Sequence, residues 1–112
     1  MEERFGKCPF ATAQRLIQGK WAILILHHLS QGPIRFNELR RRMPKMTHAT
    51  LSAQLKQLEQ EGLVARKEYP QIPPKVEYSL TEIGAKFQPV LDSIQVWGLE
   101  YLDYLQNKKE KD

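Results

Sequence analysis

The stretch from Phe36 to Leu80 has the residue order of a helix, a turn, a second helix and a β-hairpin. Pro44 ends the first helix, because proline lacks a backbone N–H and its ring clashes inside a helix. Thr47 then has the side chain of an N-cap, and Gly62 supplies the left-handed residue with which many helices end. This order predicts a winged helix-turn-helix, a fold whose second helix enters a groove of DNA.

The second helix carries a single apolar stripe. Leu51, Leu55 and Leu58 recur at intervals of four and three residues, which places them on one face of the helix. That face is expected to be buried, so the remaining faces are free to meet a partner.

Two short segments after the second helix predict the strands of the wing. Residues 64–69 and 75–80 can pair around the sequence QIPP, and Ile34-Arg35 predicts a third strand. The predicted fold class is therefore mainly α with a small β-wing (α+β). It is a winged helix-turn-helix with additional N- and C-terminal helices.

Helical patterns also lie on both sides of this module. One helix is expected over about residues 8–18, and a second, over 20–30, contains the run WAILIL and predicts a central buried helix. Thr81 is placed to cap a long helix that reaches about residue 106. Pro89 is expected to kink or divide that helix near Phe87.

These flanking helices carry more apolar surface than one small domain can cover, and a two-fold dimer would bury it. The residues expected at that interface are Phe10, Leu91, Ile94, Trp97, Tyr101, Leu102 and Leu105. The alternative is that Trp97 and Leu102 fold back on the core of their own chain. We predict one domain over 1–112, with a DNA-binding core at about 20–80 and dimerisation helices at about 8–18 and 81–106.

Positive charge is concentrated on the central module. The chain has 112 residues and a formal net charge of +4. Between residues 35 and 75, nine Lys and Arg side chains stand against four Glu side chains, so this segment has an excess of five positive charges. Such a surface suits phosphate binding, and a merely solvated basic face is the alternative.

The leucine stripe decides which residues of the second helix point outward. Ala49, Ala53 and Lys56 lie nearly opposite the stripe at about 100° per residue. The start of such a helix usually touches base edges, whereas cations around it contact phosphates. The expected DNA contacts are Arg35, Asn37, Arg40, Arg41, Thr47, His48, Ala49, Thr50, Ser52, Ala53, Lys56, Arg66, Lys67 and Lys75.

From about Cys8 to Leu105 the chain resembles the HxlR-type winged helix-turn-helix transcriptional regulators. The matching motifs are CPF, GKWAILILHHLSQGPIRFNELRR, PPKVEYSLTEIG and VWG. The resemblance implies a homodimer that binds a palindromic operator in double-stranded DNA. It implies a DNA role for Arg35, Thr47, His48, Ser52, Lys56 and Lys75. The segment MTHAT varies within such families, so the operator sequence is not implied.

Cys8 is the only cysteine of the chain and a candidate redox sensor. It follows Lys7 and precedes an expected helix, whose dipole favours negative charge at its start. The resemblance implies that some relatives sense oxidants or electrophiles through a cysteine at this place. The alternative is that Cys8 packs as a small hydrophobe.

No residue pattern predicts catalysis, a cofactor or a metal site. The one cysteine and three histidines lack HxxxH or CxxC spacing, and no Gly-rich phosphate loop or nucleophile elbow occurs. We expect a DNA-binding protein that is not an enzyme; the alternative is a winged-helix protein-interaction subunit without its own operator. The longest apolar run, residues 21–26, is too short to cross a membrane, and a cytoplasmic location is expected. The sequence does not identify a small-molecule effector.

Overall fold

The computed structural model describes residues 8–111, which form six helices and three strands. The helices are α1 (Pro9–Ile17), α2 (Ala22–Leu29), α3 (Phe36–Arg42), α4 (His48–Gln60), α5 (Glu82–Ala85) and α6 (Gln88–Lys111). The strands are β1 (Ile34–Arg35), β2 (Val64–Tyr69) and β3 (Lys75–Leu80). The predicted class, mainly α with a small β-wing, is confirmed.

The three strands form one antiparallel sheet in the order β1-β3-β2. Ile34 lies opposite Tyr78, and Val64 lies opposite Leu80. Ile34, Val64 and Tyr78 are buried on the same face of the sheet. This face packs on the helices, while the other face of β2 and β3 carries charged side chains. Both predicted wing strands and the short third strand are confirmed.

Local chemistry sets both ends of α4. The backbone N–H of Thr50 donates to Thr47 Oγ1 at 3.0 Å, so Thr47 is the predicted N-cap. Gly62 has a φ of +82°, and the next N–H, that of Leu63, donates to the Leu58 carbonyl at 3.0 Å. This is a Schellman ending, which satisfies carbonyls that the last turn leaves unpaired.

One apolar core connects α2, α3, α4 and the sheet. Its fully buried side chains are Ile25, Leu26, Leu29, Leu39, Leu51, Leu55, Leu58 and Val64. The central position of α2 is therefore as predicted, although this helix begins at Ala22 because Lys20 and Trp21 form a turn.

The C-terminal helical region is divided, as Pro89 predicts. α5 ends at Ala85 and α6 begins at Gln88, so Pro89 lies in the first turn of α6, where a missing N–H leaves no hydrogen bond unmade. Thr81 caps the four-residue α5, and the expectation that it caps the long helix itself is wrong.

α6 touches the core near its start and is exposed farther along. Leu91 is 6% exposed and belongs to the core of its own chain, so its assignment to a dimer surface is wrong. Apolar periodicity indicates burial but not which chain provides the cover. Trp97 and Leu102 are each 63% exposed, so the alternative that they fold back on their own core is also wrong.

Candidate nucleic-acid interface

The outer face of α4 is smooth and open to solvent. Ala49, Ser52, Ala53 and Lys56 are exposed, opposite the buried leucines. Small side chains allow a helix to lie deep in the major groove, which is about 12 Å wide in B-DNA. The structure therefore gives α4 the shape of a recognition helix.

The start of α4 is tied by two threonines. Thr47 Oγ1 accepts from the Thr50 N–H and donates to Thr50 Oγ1 at 2.8 Å. The Thr47 hydroxyl therefore uses both its proton and an acceptor lone pair in hydrogen bonds to Thr50. Thr50 keeps its own hydroxyl proton, so it is the better donor to a base or phosphate.

His48, the first residue of α4, is held by an aromatic neighbour. Its ring centroid lies 4.7 Å from that of Phe36 at an interplanar angle of 55°. Phe36 in turn lies 6.4 Å from the ring of Tyr78 in β3. The imidazole is thereby oriented between α3 and the wing, which we define as β2, β3 and the loop between them (residues 64–80).

A groove of about 610 Å³ runs between α3, the start of α4 and the wing. It brings together half of the fourteen expected DNA contacts. These are Arg35, Asn37, Arg41, His48, Ser52, Arg66 and Lys75. Four of them are cations and one acidic residue, Glu38, joins them in the lining. The groove is therefore suited to a polyanion.

The arginines of α3 differ in their surroundings. Arg41 Nη2 donates to Glu38 Oε1 at 2.6 Å, and Arg42 Nε donates to Glu38 Oε2 at 3.2 Å. Hydrogen bonds from Arg41 and then Arg42 lower the pKa of Glu38. Arg40 instead lines a second shallow groove beside Pro44. Arg40 is thus free of this carboxylate, whereas Arg41 is paired with it.

The wing holds its cations in side-chain networks that sequence analysis missed. Lys67 and Lys75 both lie over the ring of Tyr69, and Lys75 also pairs with Glu77. On the groove side of the wing, a hydrogen bond to Tyr78 raises the pKa of Arg66. The signal for Glu77 was its spacing of two residues from Lys75, which puts both on one face of a strand.

Cys8 occupies the N-cap position of α1. Its carbonyl accepts hydrogen bonds from the Thr12 N–H at 3.0 Å and from Thr12 Oγ1 at 2.8 Å. The residue is half-buried, and its side chain makes no capping bond. Two residues later, Phe10 is 83% exposed.

Within residues 8–111, no three His, Cys, Asp or Glu side chains are grouped closely enough to hold a metal ion. Over the same residues, no helix combines the length and hydropathy that crossing a membrane requires.

Comparison with known proteins gives concordant matches. The model of a family described as HxlR-like helix-turn-helix matches residues 16–106. The uncharacterized HTH-type transcriptional regulator BH0655 of Halalkalibacterium halodurans is 50% identical over 93 residues, covering 82% of each chain. The uncharacterized HTH-type transcriptional regulator YdeP of Bacillus subtilis is 46% identical over 99 residues, 88% of this chain and 77% of YdeP. The solved structure of the redox regulator HypR in its reduced form is 41% identical, with a TM-score of 0.83, over 88% of this chain and 98% of that one.

Proposed function

This chain belongs to the HxlR-like helix-turn-helix family of transcriptional regulators, and we propose that it binds operator DNA as a two-fold homodimer. The observation that carries the proposal is the cationic groove between α4 and the wing, which adjoins the exposed face of α4. The protein acts by binding rather than by catalysis. It meets its operator where the chromosome lies, in the cytoplasm.

In the proposed complex α4 lies in the major groove. Ala49 and Ala53 meet thymine methyl groups, while Ser52 and His48 are within reach of base edges. Lys56 faces outward beside them and binds a backbone phosphate.

The surrounding cations and the amide of Asn37 fix the position of the duplex. Arg35 and Asn37 lie at the entry to α3, and Arg66 and Lys75 lie across the groove on the wing. Phosphate contacts on both sides of this groove determine how deeply and at what angle α4 enters the duplex.

The homodimer is supported by the apolar face of α6 that its own chain leaves open. Trp97 and Tyr101 stack with ring centroids 5.2 Å apart, and Tyr104 lies 5.6 Å from Tyr101. Leu102 and Leu105 are exposed on the same half of the helix. A second copy of this helix would cover the aromatic and leucine side chains in an isologous contact.

A thiol response through Cys8 is the second part of the proposal. HypR, a redox regulator by name, is similar to this chain over most of its length. Two Cys8 thiols, one from each protomer, can form a disulfide by giving two protons and two electrons to a hydroperoxide, which becomes an alcohol and water. The disulfide would shift α1 and so the spacing of the two recognition helices. Equal responses of wild type and Cys8→Ser to the hydroperoxide, measured as operator affinity, would contradict this part.

Selection of bound duplexes from a random-sequence pool tests the proposed function. We expect enrichment of two inverted half-sites whose centres lie about 34 Å apart, or a multiple of it, because a two-fold dimer presents two recognition helices. Enrichment of isolated half-sites would contradict the dimer. A pool that shows no enrichment would contradict operator binding and favour the protein-interaction alternative.

A further inference from the structure

Glu77 in β3 uses both of its carboxylate oxygens within the wing. Tyr69 Oη donates to Glu77 Oε1 at 3.2 Å, and Lys75 Nζ lies 3.5 Å from Glu77 Oε2. The Lys75 and Glu77 side chains are only 21% and 22% exposed, so this ion pair is less exposed to solvent than the other ion pairs within residues 8–111. A sheltered pair is screened less by salt than an exposed one.

The ring of Tyr69 gathers the two wing lysines around this carboxylate. Lys75 Nζ lies 4.5 Å from the ring centroid, and Lys67 Nζ lies 4.9 Å from it. Both distances are within the range of cation–π attraction. The ring therefore limits the positions of both ammonium groups, and the Tyr69 hydroxyl is itself held by Glu77.

The strand register adds a third cation. Glu77 lies opposite Arg35 in β1 and opposite Lys67 in β2. Directly opposite residues of antiparallel strands point to the same face, with Cβ atoms about 5 Å apart. The register thus places Glu77 between the basic residues Arg35 and Lys67 of the two neighbouring strands, on the face of the sheet that also carries Lys75.

We infer that Glu77 is a specificity-determining residue for DNA, acting through Lys75. Its carboxylate competes with phosphate for the Lys75 ammonium group, which weakens binding to any duplex. It also fixes Lys75 and Tyr69 in one arrangement. In that arrangement Lys75 can bind a phosphate only where the docked duplex places one within its reach. The net effect is to lower non-specific affinity more than operator affinity. This inference rests on the proposed function.

The experiment compares two duplexes of equal length and composition. One is a duplex selected from the random pool by the wild-type protein, and the other is its scrambled sequence. Removing the charge in Glu77→Gln is expected to tighten scrambled binding about two- to fivefold, the scale of one weakly screened surface ion pair. The affinity for the selected duplex is expected to rise less, so the ratio of the affinity for the selected duplex to that for the scrambled duplex falls.

A double-mutant cycle separates this effect from a general change in charge. If Glu77 acts through Lys75, the tightening disappears when Glu77→Gln is made in Lys75→Gln protein. Glu82→Gln, the same charge change at an exposed residue of α5, is the matched control and should leave the ratio unchanged. Thermal unfolding of each variant reports folding separately.

The outcomes distinguish the inference from the function on which it rests. Wild type that does not prefer its selected duplex would contradict the proposed function. Wild type with a clear preference, together with an unchanged ratio in Glu77→Gln, would overturn the role of Glu77 alone. Equal tightening by Glu77→Gln with and without Lys75 would overturn the claim that it acts through that lysine.

Discussion

The hydroxyl of Thr81 donates a 2.6 Å hydrogen bond to the carbonyl oxygen of Gly62. The hydroxyl oxygen of Thr81 also accepts a hydrogen bond from the Gly84 N–H at 3.1 Å, which caps α5. Gly62 ends the recognition helix α4, and Thr81 begins the C-terminal helices. One side chain therefore joins the end of the DNA-reading helix to the start of the region proposed to hold the dimer.

Removing that hydroxyl should weaken the fold. Thr81→Ala loses both hydrogen bonds, and we expect it to lower the free energy of unfolding by about 1–2 kcal/mol, as for other N-cap deletions. Thr81→Ser keeps the hydroxyl and should stay near wild type. Urea denaturation followed by circular dichroism measures both. Equal midpoints for Thr81→Ala and Thr81→Ser would show that the two hydrogen bonds of the Thr81 hydroxyl do not stabilise the fold.

Features set by neighbouring residues were predictable from the sequence. Thr47, Gly62 and Pro89 act on the backbone within a few residues, so the ends of α4 and the break before α6 follow from local chemistry. The limits of β2 and β3 were predicted for the same reason. Thr81 was a partial success: its capping role was foreseen, but the helix it caps is the short α5.

Features set by tertiary placement were not predictable. The placement of Tyr69 and Lys67 beside Glu77 depends on the register between β2 and β3 and on side-chain conformations. Leu91 was misassigned because the periodicity of a helix gives the buried face without identifying the chain that covers it.

The exposed aromatic face of α6 should control the oligomeric state. Trp97→Ala is expected to raise the dimer dissociation constant about 30-fold or more, since buried tryptophans at interfaces commonly contribute 2 kcal/mol or more. The protomer should keep its helical content, because Trp97 is 63% exposed in it. Sedimentation equilibrium measures the constant, with Gln106→Ala on the same helix as control. A dimer that persists unchanged in Trp97→Ala would place the interface elsewhere.

Lys56 should contribute to DNA affinity without contributing to sequence choice. Replacing it by Gln removes one phosphate contact, so affinity should fall about tenfold or more for selected and scrambled duplexes alike. The slope of log K against log salt should become less negative by roughly 1. Lys108→Gln, the same charge change at an exposed lysine near the end of α6, is the control. A loss confined to the selected duplex would mean that Lys56 reads a base instead.

His28 should make the fold less stable as the pH falls. Burial first, then the charges of His27 and Arg42, lower the pKa of His28 below 6.5. The unfolded chain therefore binds the proton more readily than the folded chain, and stability decreases with falling pH from the unfolded pKa down to the folded one. Urea midpoints between about pH 5.5 and 7.5, where carboxylates stay ionised, should show this decrease in wild type. His28→Gln should flatten it, whereas His48→Gln, which keeps His28 and its neighbours, should retain it. A slope that survives in His28→Gln would assign the pH dependence to another group.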